Sequence, residues 1–92
     1  MNNAHLRQRS KVVLLTGASS GLGLEIARAL IADSNPLHLI LTARQSSLQR
    51  FEAAGIYESD NIWIRPLDVT DSEQRRAVIS EAEKIGGVDI LI

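Results

Sequence analysis

The residues with the clearest chemical capacity are the glycines of Thr16-Gly17-Ala18-Ser19-Ser20-Gly21-Leu22-Gly23. An apolar run, Val12 to Thr16, precedes them, and a segment of helical spacing follows, so they occupy a strand-to-helix junction. Gly17 is expected to turn the chain sharply off the strand. Gly21 leaves room for a phosphate to approach the backbone, and Gly23 lets the helix pack close to the sheet, a contact that Ala27 extends one turn on. The N–H groups near Ser20, Gly21 and Leu22 would face an anion, which the helix dipole also favours. The spacing is GxxxGxG, and the Gly-Lys-Ser/Thr ending of a phosphate-binding P-loop is missing, which argues against an ATPase. A purely structural turn is the alternative. Three glycines within seven residues argue instead for close approach of a ligand or a second element to the backbone.

The surrounding pattern shows what must position this loop. Short aliphatic runs alternate with longer helical segments, which implies repeated β-α units. Val12 to Thr16 and Leu37 to Thr42 are almost continuously apolar, as strands covered on both faces are. Asn61 to Leu67 alternates, with Ile62 and Ile64 on one side and Trp63 and Arg65 on the other, and Pro66 near its end marks an edge strand. Val88 to Ile92 begins a fourth strand. Between them, a helix to about Ala32 carries the stripe Leu22, Ile26, Ala29 and Leu30. A short helix is expected to open on a Ser46/Gln49 capping box and to be capped by Gly55. A third is expected to open on Thr70/Glu73 and to run to about Ile85 before Gly86-Gly87. Right-handed crossovers with an edge-type third strand favour the order 3-2-1-4 in a doubly wound parallel α/β sheet. Residues 1–10 read as a polar arm, and residues 11–92 as the first part of one domain, truncated after the fourth strand.

These residues resemble the short-chain dehydrogenases/reductases. The family signature TGxxxGxG is matched by Thr16, Gly17, Gly21 and Gly23, and further agreements are Thr42-Ala43-Arg44, Leu67-Asp68-Val69-Thr70-Asp71 and Gly86 to Ile92. The resemblance implies a Rossmann-like fold and a nicotinamide dinucleotide bound by Gly17, Ser19, Ser20, Gly21, Leu22 and Gly23. It also implies that Asp68 takes the exocyclic amine of adenine while the Val69 backbone N–H meets the ring; helix capping by the Asp/Thr cluster is a second, compatible role. At the end of the second strand an acid would hold the ribose hydroxyls of NAD, whereas here stand Ala43 and Arg44. An arginine pairs with a 2′-phosphate through charge-assisted bonds, so the residue types favour NADP(H) over NAD. Ser20 replaces the basic residue that many NADP-using relatives have just before the middle glycine, and the Ser19 and Ser20 hydroxyls can donate to the phosphate in its place.

The family's catalytic Tyr-x-x-x-Lys is absent from these 92 residues. Tyr57 is the single tyrosine and position 61 is Asn, so no catalytic residue is assigned and the chain is expected to be inactive alone. His5 and His38 lack carboxylates at ligand spacing, and no metal is expected. Asp60, Glu58 and Asp71-Ser72-Glu73 read as solvated turns or helix starts. A net charge of -1 supplies no field for nucleic acid, and no apolar run approaches the roughly 18 to 20 residues that span a bilayer. The absence of cysteine suits a reducing cytoplasm. The expectation is an NADP(H)-dependent oxidoreductase acting on a small carbonyl or alcohol and assembling as a homo-oligomer, the other possibility being a non-catalytic NADP(H)-binding or sensing module.

Overall fold

The computed structural model describes residues 10–92, so the expected polar arm lies outside the described residues except for Ser10. Among these residues four strands, β1 (Lys11–Leu15), β2 (Leu37–Ala43), β3 (Ile62–Pro66) and β4 (Ile90–Leu91), form one parallel sheet in the order β3-β2-β1-β4. Val12 to Leu15 and Leu39 to Ala43 are buried, which accounts for their unbroken apolar composition. The register sets Leu14 beside Ile40 and Leu91, and Ile40 beside Trp63.

Among the described residues, three helices cover the sheet: α1 (Gly21–Ala32), α2 (Gln49–Ala53) after a 3-10 turn at Gln45–Ser47, and α3 (Ser72–Glu83). One face buries Val13, Leu15, Leu39 and Leu41 against Ala27 and Phe51. The other buries Val12, Leu14 and Ile40 against Val78 and Ala82 of α3. The change of face follows from handedness. The chain steps from β1 to β2 to β3 in one direction and then crosses back to β4, so right-handed crossovers place α3 opposite α1 and α2.

Local details of the helices depart from the sequence expectation. The inward face of α1 is built from Ala27, Ile26, Leu30 and Leu24, while Leu22 is 76% exposed and Ala29 is exposed too. At about 100° per residue, a helix that turns Gly23 and Ala27 inward carries Leu22 and Ala29 away from the core. Ser46 caps nothing, because the chain leaves Arg44 into the 3-10 turn and α2 opens without a side-chain cap. Asp71, not Thr70, caps α3, its Oδ1 accepting from the N–H groups of Glu73 and Gln74 at 2.9 and 3.1 Å. The helix ends at Glu83 instead of Ile85, closed by bonds from Gly86 N–H to Glu83 O and from Gly87 N–H to Ala82 O. The end of α2 has the same closure: Gly55 N–H reaches Glu52 O and Ile56 N–H reaches Phe51 O.

The edge strand alternates as expected, Ile62 and Ile64 packing with one core and Trp63 with the other. Glu58 is not merely solvated. It pairs with Arg65 at 2.8 Å while Glu81 pairs with the same guanidinium at 2.7 Å, and both contacts raise its already high pKa, the Glu81 bond most. Arg65 also lies 5.2 Å from the Trp63 ring centre, tying β3, the preceding loop and α3 together.

Candidate functional site

The carboxyl ends of β1 and β4 lie side by side, where an open α/β sheet binds its ligands. Thr16 donates both its N–H and its hydroxyl to the Ile92 carbonyl, at 2.9 and 3.0 Å, and Ile92 N–H returns to Leu14 O at 2.9 Å. From Thr16 the chain enters the glycine loop. Gly17 and Gly21 have φ of 59° and 56°, the left-handed region in which a side chain is strained. The loop is anchored to β2: Ala18 N–H bonds Thr42 O at 2.9 Å, and the buried Thr42 hydroxyl bonds Leu15 O at 2.9 Å.

Gly23 serves a tighter contact than the sheet packing expected of it. A Cβ there would run into the carbonyl oxygen of Gly17 and stand 3.2 Å from Ala18 Cα, so the first turn of α1 folds directly onto its own loop. Ser20 holds the N-cap position with extended backbone, yet its side chain makes no capping bond. The first bond into the helix is Leu24 N–H to Ser20 O at 3.2 Å. The N–H groups of Gly21, Leu22 and Gly23 therefore have no acceptor among the described residues, leaving the positive end of a 12-residue helix open to an anion. Ser19 is buried, while Ser20 and Leu22 are exposed.

Beside this loop, Thr16, Gly17, Ala43, Arg44, Leu67 and Val69 line a groove of about 240 Å³. Ala43 is buried, Arg44 is exposed, and Val69 is 54% exposed. Leu67 N–H bonds Ala43 O at 2.8 Å, which joins the segment after β3 to the end of β2. Asp68 follows. Its Oδ1 accepts from the Thr70 hydroxyl at 2.6 Å and from the Thr70 N–H at 2.9 Å. These two bonds, with a smaller contribution from the Arg44 charge, hold the Asp68 carboxyl below the usual range, so it is an anion at neutral pH.

The structure thus brings Gly17, Ala43, Arg44 and Val69 to one groove, with Asp68 within range of the Arg44 charge and Ser20 to Gly23 at the adjoining helix end. Thr16, part of the glycine motif but not singled out as a site residue, lines the same groove. Gln74 and Arg75, which the sequence reading passed over, fasten the Asp68–Thr70 segment from α3. Their one sequence signal is a six-residue offset from Asp68 and Val69 across a helix start. Tyr57 and His38 line no part of the groove. His38 meets Trp63 edge-on at 4.4 Å, and burial lowers its pKa.

Comparison with known proteins agrees with this architecture. A family model described as short chain dehydrogenase matches residues 11–92. A ketoacyl reductase, HetN, of Nostoc sp. is 37% identical over 83 residues, covering 89% of this chain and 29% of the relative. Among solved structures, the NADPH-bound carbonyl reductase from chicken fatty liver superposes with a TM-score of 0.71 at 31% identity, covering 92% of this chain and 34% of that one. The L-sorbose reductase of Gluconobacter frateurii, complexed with NADPH and L-sorbose, gives a TM-score of 0.64 at 32% identity, with 90% and 32% covered. The chain spans about a third of the length of such relatives.

Proposed function

The chain belongs to the short chain dehydrogenase family, and from that premise we propose that the full-length protein is an NADP(H)-dependent oxidoreductase interconverting a carbonyl and an alcohol. In this reading residues 11–92 are the first part of the cofactor domain and work in the cytoplasm. The observation that carries it is the groove in which exposed Arg44, and no carboxylate, stands at the end of β2 with Gly17 and Val69.

The residues present fit an adenosine 2′-phosphate and its pyrophosphate. The open N–H groups of Gly21, Leu22 and Gly23 suit the pyrophosphate, and the exposed Ser20 hydroxyl adds a donor. Arg44 suits the 2′-phosphate and would repay its own desolvation there through paired bonds. The Asp68 carboxylate suits the exocyclic amine of adenine, and Val69 N–H the ring. When bound, the nicotinamide supplies or accepts the hydride. The NADPH complexes of the chicken carbonyl reductase and the sorbose reductase support the choice of cofactor.

Proton transfer to the substrate oxygen is assigned to residues outside these 92, since Tyr57 has no lysine four positions on and lies off the groove. The glycine loop and the Arg44 groove would serve equally well in a second reading, an NADP(H)-sensing module without turnover. Incubating the full-length protein with NADPH and a panel of ketones and aldehydes separates the two. Loss of reduced-nicotinamide absorbance with at least one carbonyl is the expected result. Tight NADPH binding with no consumption across the panel supports the sensor, and no binding at all contradicts both.

A further inference from the structure

The segment from Asp68 to Asp71 is held almost entirely by bonds to α3 and to itself. Asp68 N–H donates to Gln74 Oε1 at 2.6 Å, and the Val69 carbonyl accepts from Arg75 Nη1 at 2.6 Å. Asp71 N–H bonds Asp68 O at 2.8 Å, and Thr70 N–H bonds Asp68 Oδ1. Of the four N–H groups in this segment, that of Val69 alone has no partner among the described residues. It lies on the residue that lines the groove.

Gln74 is itself held in place. Its backbone N–H is bonded by the Asp71 cap, which fixes the helix turn from which its half-buried side chain reaches back. The chain is thus closed on itself: Asp71 starts α3, α3 presents Gln74 and Arg75, and these two clamp the peptide groups on either side of the Val69 N–H. Such a clamp fixes where an acceptor atom must lie to meet that N–H, and where the Asp68 carboxylate must meet a donor. A two-point contact of this kind tolerates little displacement.

We infer that Gln74 is a positioning residue for base recognition: by holding Asp68 N–H it sets the Asp68 carboxylate and Val69 N–H at the spacing that selects adenine. This rests on the reading that Asp68 and Val69 meet the adenine ring. The probes are NADPH and its hypoxanthine analogue, in which a carbonyl replaces the exocyclic amine, titrated into the full-length protein and its Gln74→Ala and Gln74→Glu variants.

The parent is expected to favour NADPH by on the order of ten-fold, the worth of one hydrogen bond to a charged group. Gln74→Ala should reduce that ratio to near one, mostly by weakening NADPH, with the melting temperature little changed. Gln74→Glu keeps an acceptor for Asp68 N–H and should restore discrimination. If Gln74→Ala weakens both nucleotides equally, or leaves the ratio intact, Gln74 has no role in base selection and the inference fails. Equal binding of the two nucleotides by the parent would overturn the adenine reading itself, and the inference with it.

Discussion

At Gly23 one methyl group decides whether the loop can close on the helix. The atom a Cβ would strike is the Gly17 backbone oxygen, which cannot rotate aside as a flexible side chain would. Gly23→Ala should therefore cost roughly 1 to 3 kcal/mol, read as a lower urea midpoint, and an unchanged midpoint would show that the loop yields. Asp68 carries a second residue-level prediction. Its folded pKa lies below the ordinary 3.8 because Thr70 bonds it through hydroxyl and N–H. The resulting stabilisation is fully present above 3.8 and is lost as pH falls through the lower, folded value. Carboxyl-carbon NMR should show Asp68 titrating below a typical aspartate, with Thr70→Val returning it upward. A titration unmoved by that change would remove the Thr70 hydroxyl from the explanation and leave the Thr70 N–H as the cause. The sequence shows Gly17 and Gly21 plainly, because left-handed turns demand glycine. It does not show what Gly23 avoids, since a contact between a helix turn and its own loop leaves no periodic trace.

Among the elements, the strands were legible because burial on both faces forces continuous apolar runs, and Val12 to Leu15 and Leu39 to Leu41 are such runs. Caps were harder to read. Thr70 and Asp71 both suit an N-cap, and the choice falls to Asp71 because the Thr70 hydroxyl is already bonded to Asp68. Asp71→Ala should destabilise α3 by about 1 kcal/mol, whereas Thr70→Ala should leave the helix start intact. Helical circular dichroism followed through denaturation compares the two, and a larger loss from Thr70→Ala would reverse the assignment. On β2, against Trp63 of β3, His38 sets a pH dependence. Its Nε2 is buried without a partner among the described residues, and burial lowers its pKa from 6.5. The unfolded chain then binds the proton more readily, so stability is full above 6.5 and declines as pH drops toward the folded value. His38→Leu should flatten that slope; a slope that persists would place its origin elsewhere.

On the scale of the whole molecule, the parallel order 3-2-1-4 followed from handedness and one edge-type strand, and the sheet has that order. The extent of β4 was less legible: Val88 to Ile92 reads as a full strand, yet Ile90–Leu91 is the paired portion. There Ile90, Leu91 and Ile92 are 45%, 67% and 43% exposed, an apolar patch on an open sheet edge. Produced alone, the 92-residue chain should self-associate through this edge, and Leu91→Lys should shift sedimentation toward the monomer. Monomers of both forms at high concentration would contradict it.

The central claim, that this sheet is built for the phosphorylated cofactor, turns on Arg44. Its most direct test is the dissociation constant of NADPH and of NADH for the full-length protein and for Arg44→Ala. The parent should bind NADPH more tightly, and the substitution should cost that ligand about 1.5 to 3 kcal/mol while leaving NADH nearly unaffected. Equal affinity of the parent for both nucleotides, or equal weakening of both by Arg44→Ala, would contradict it.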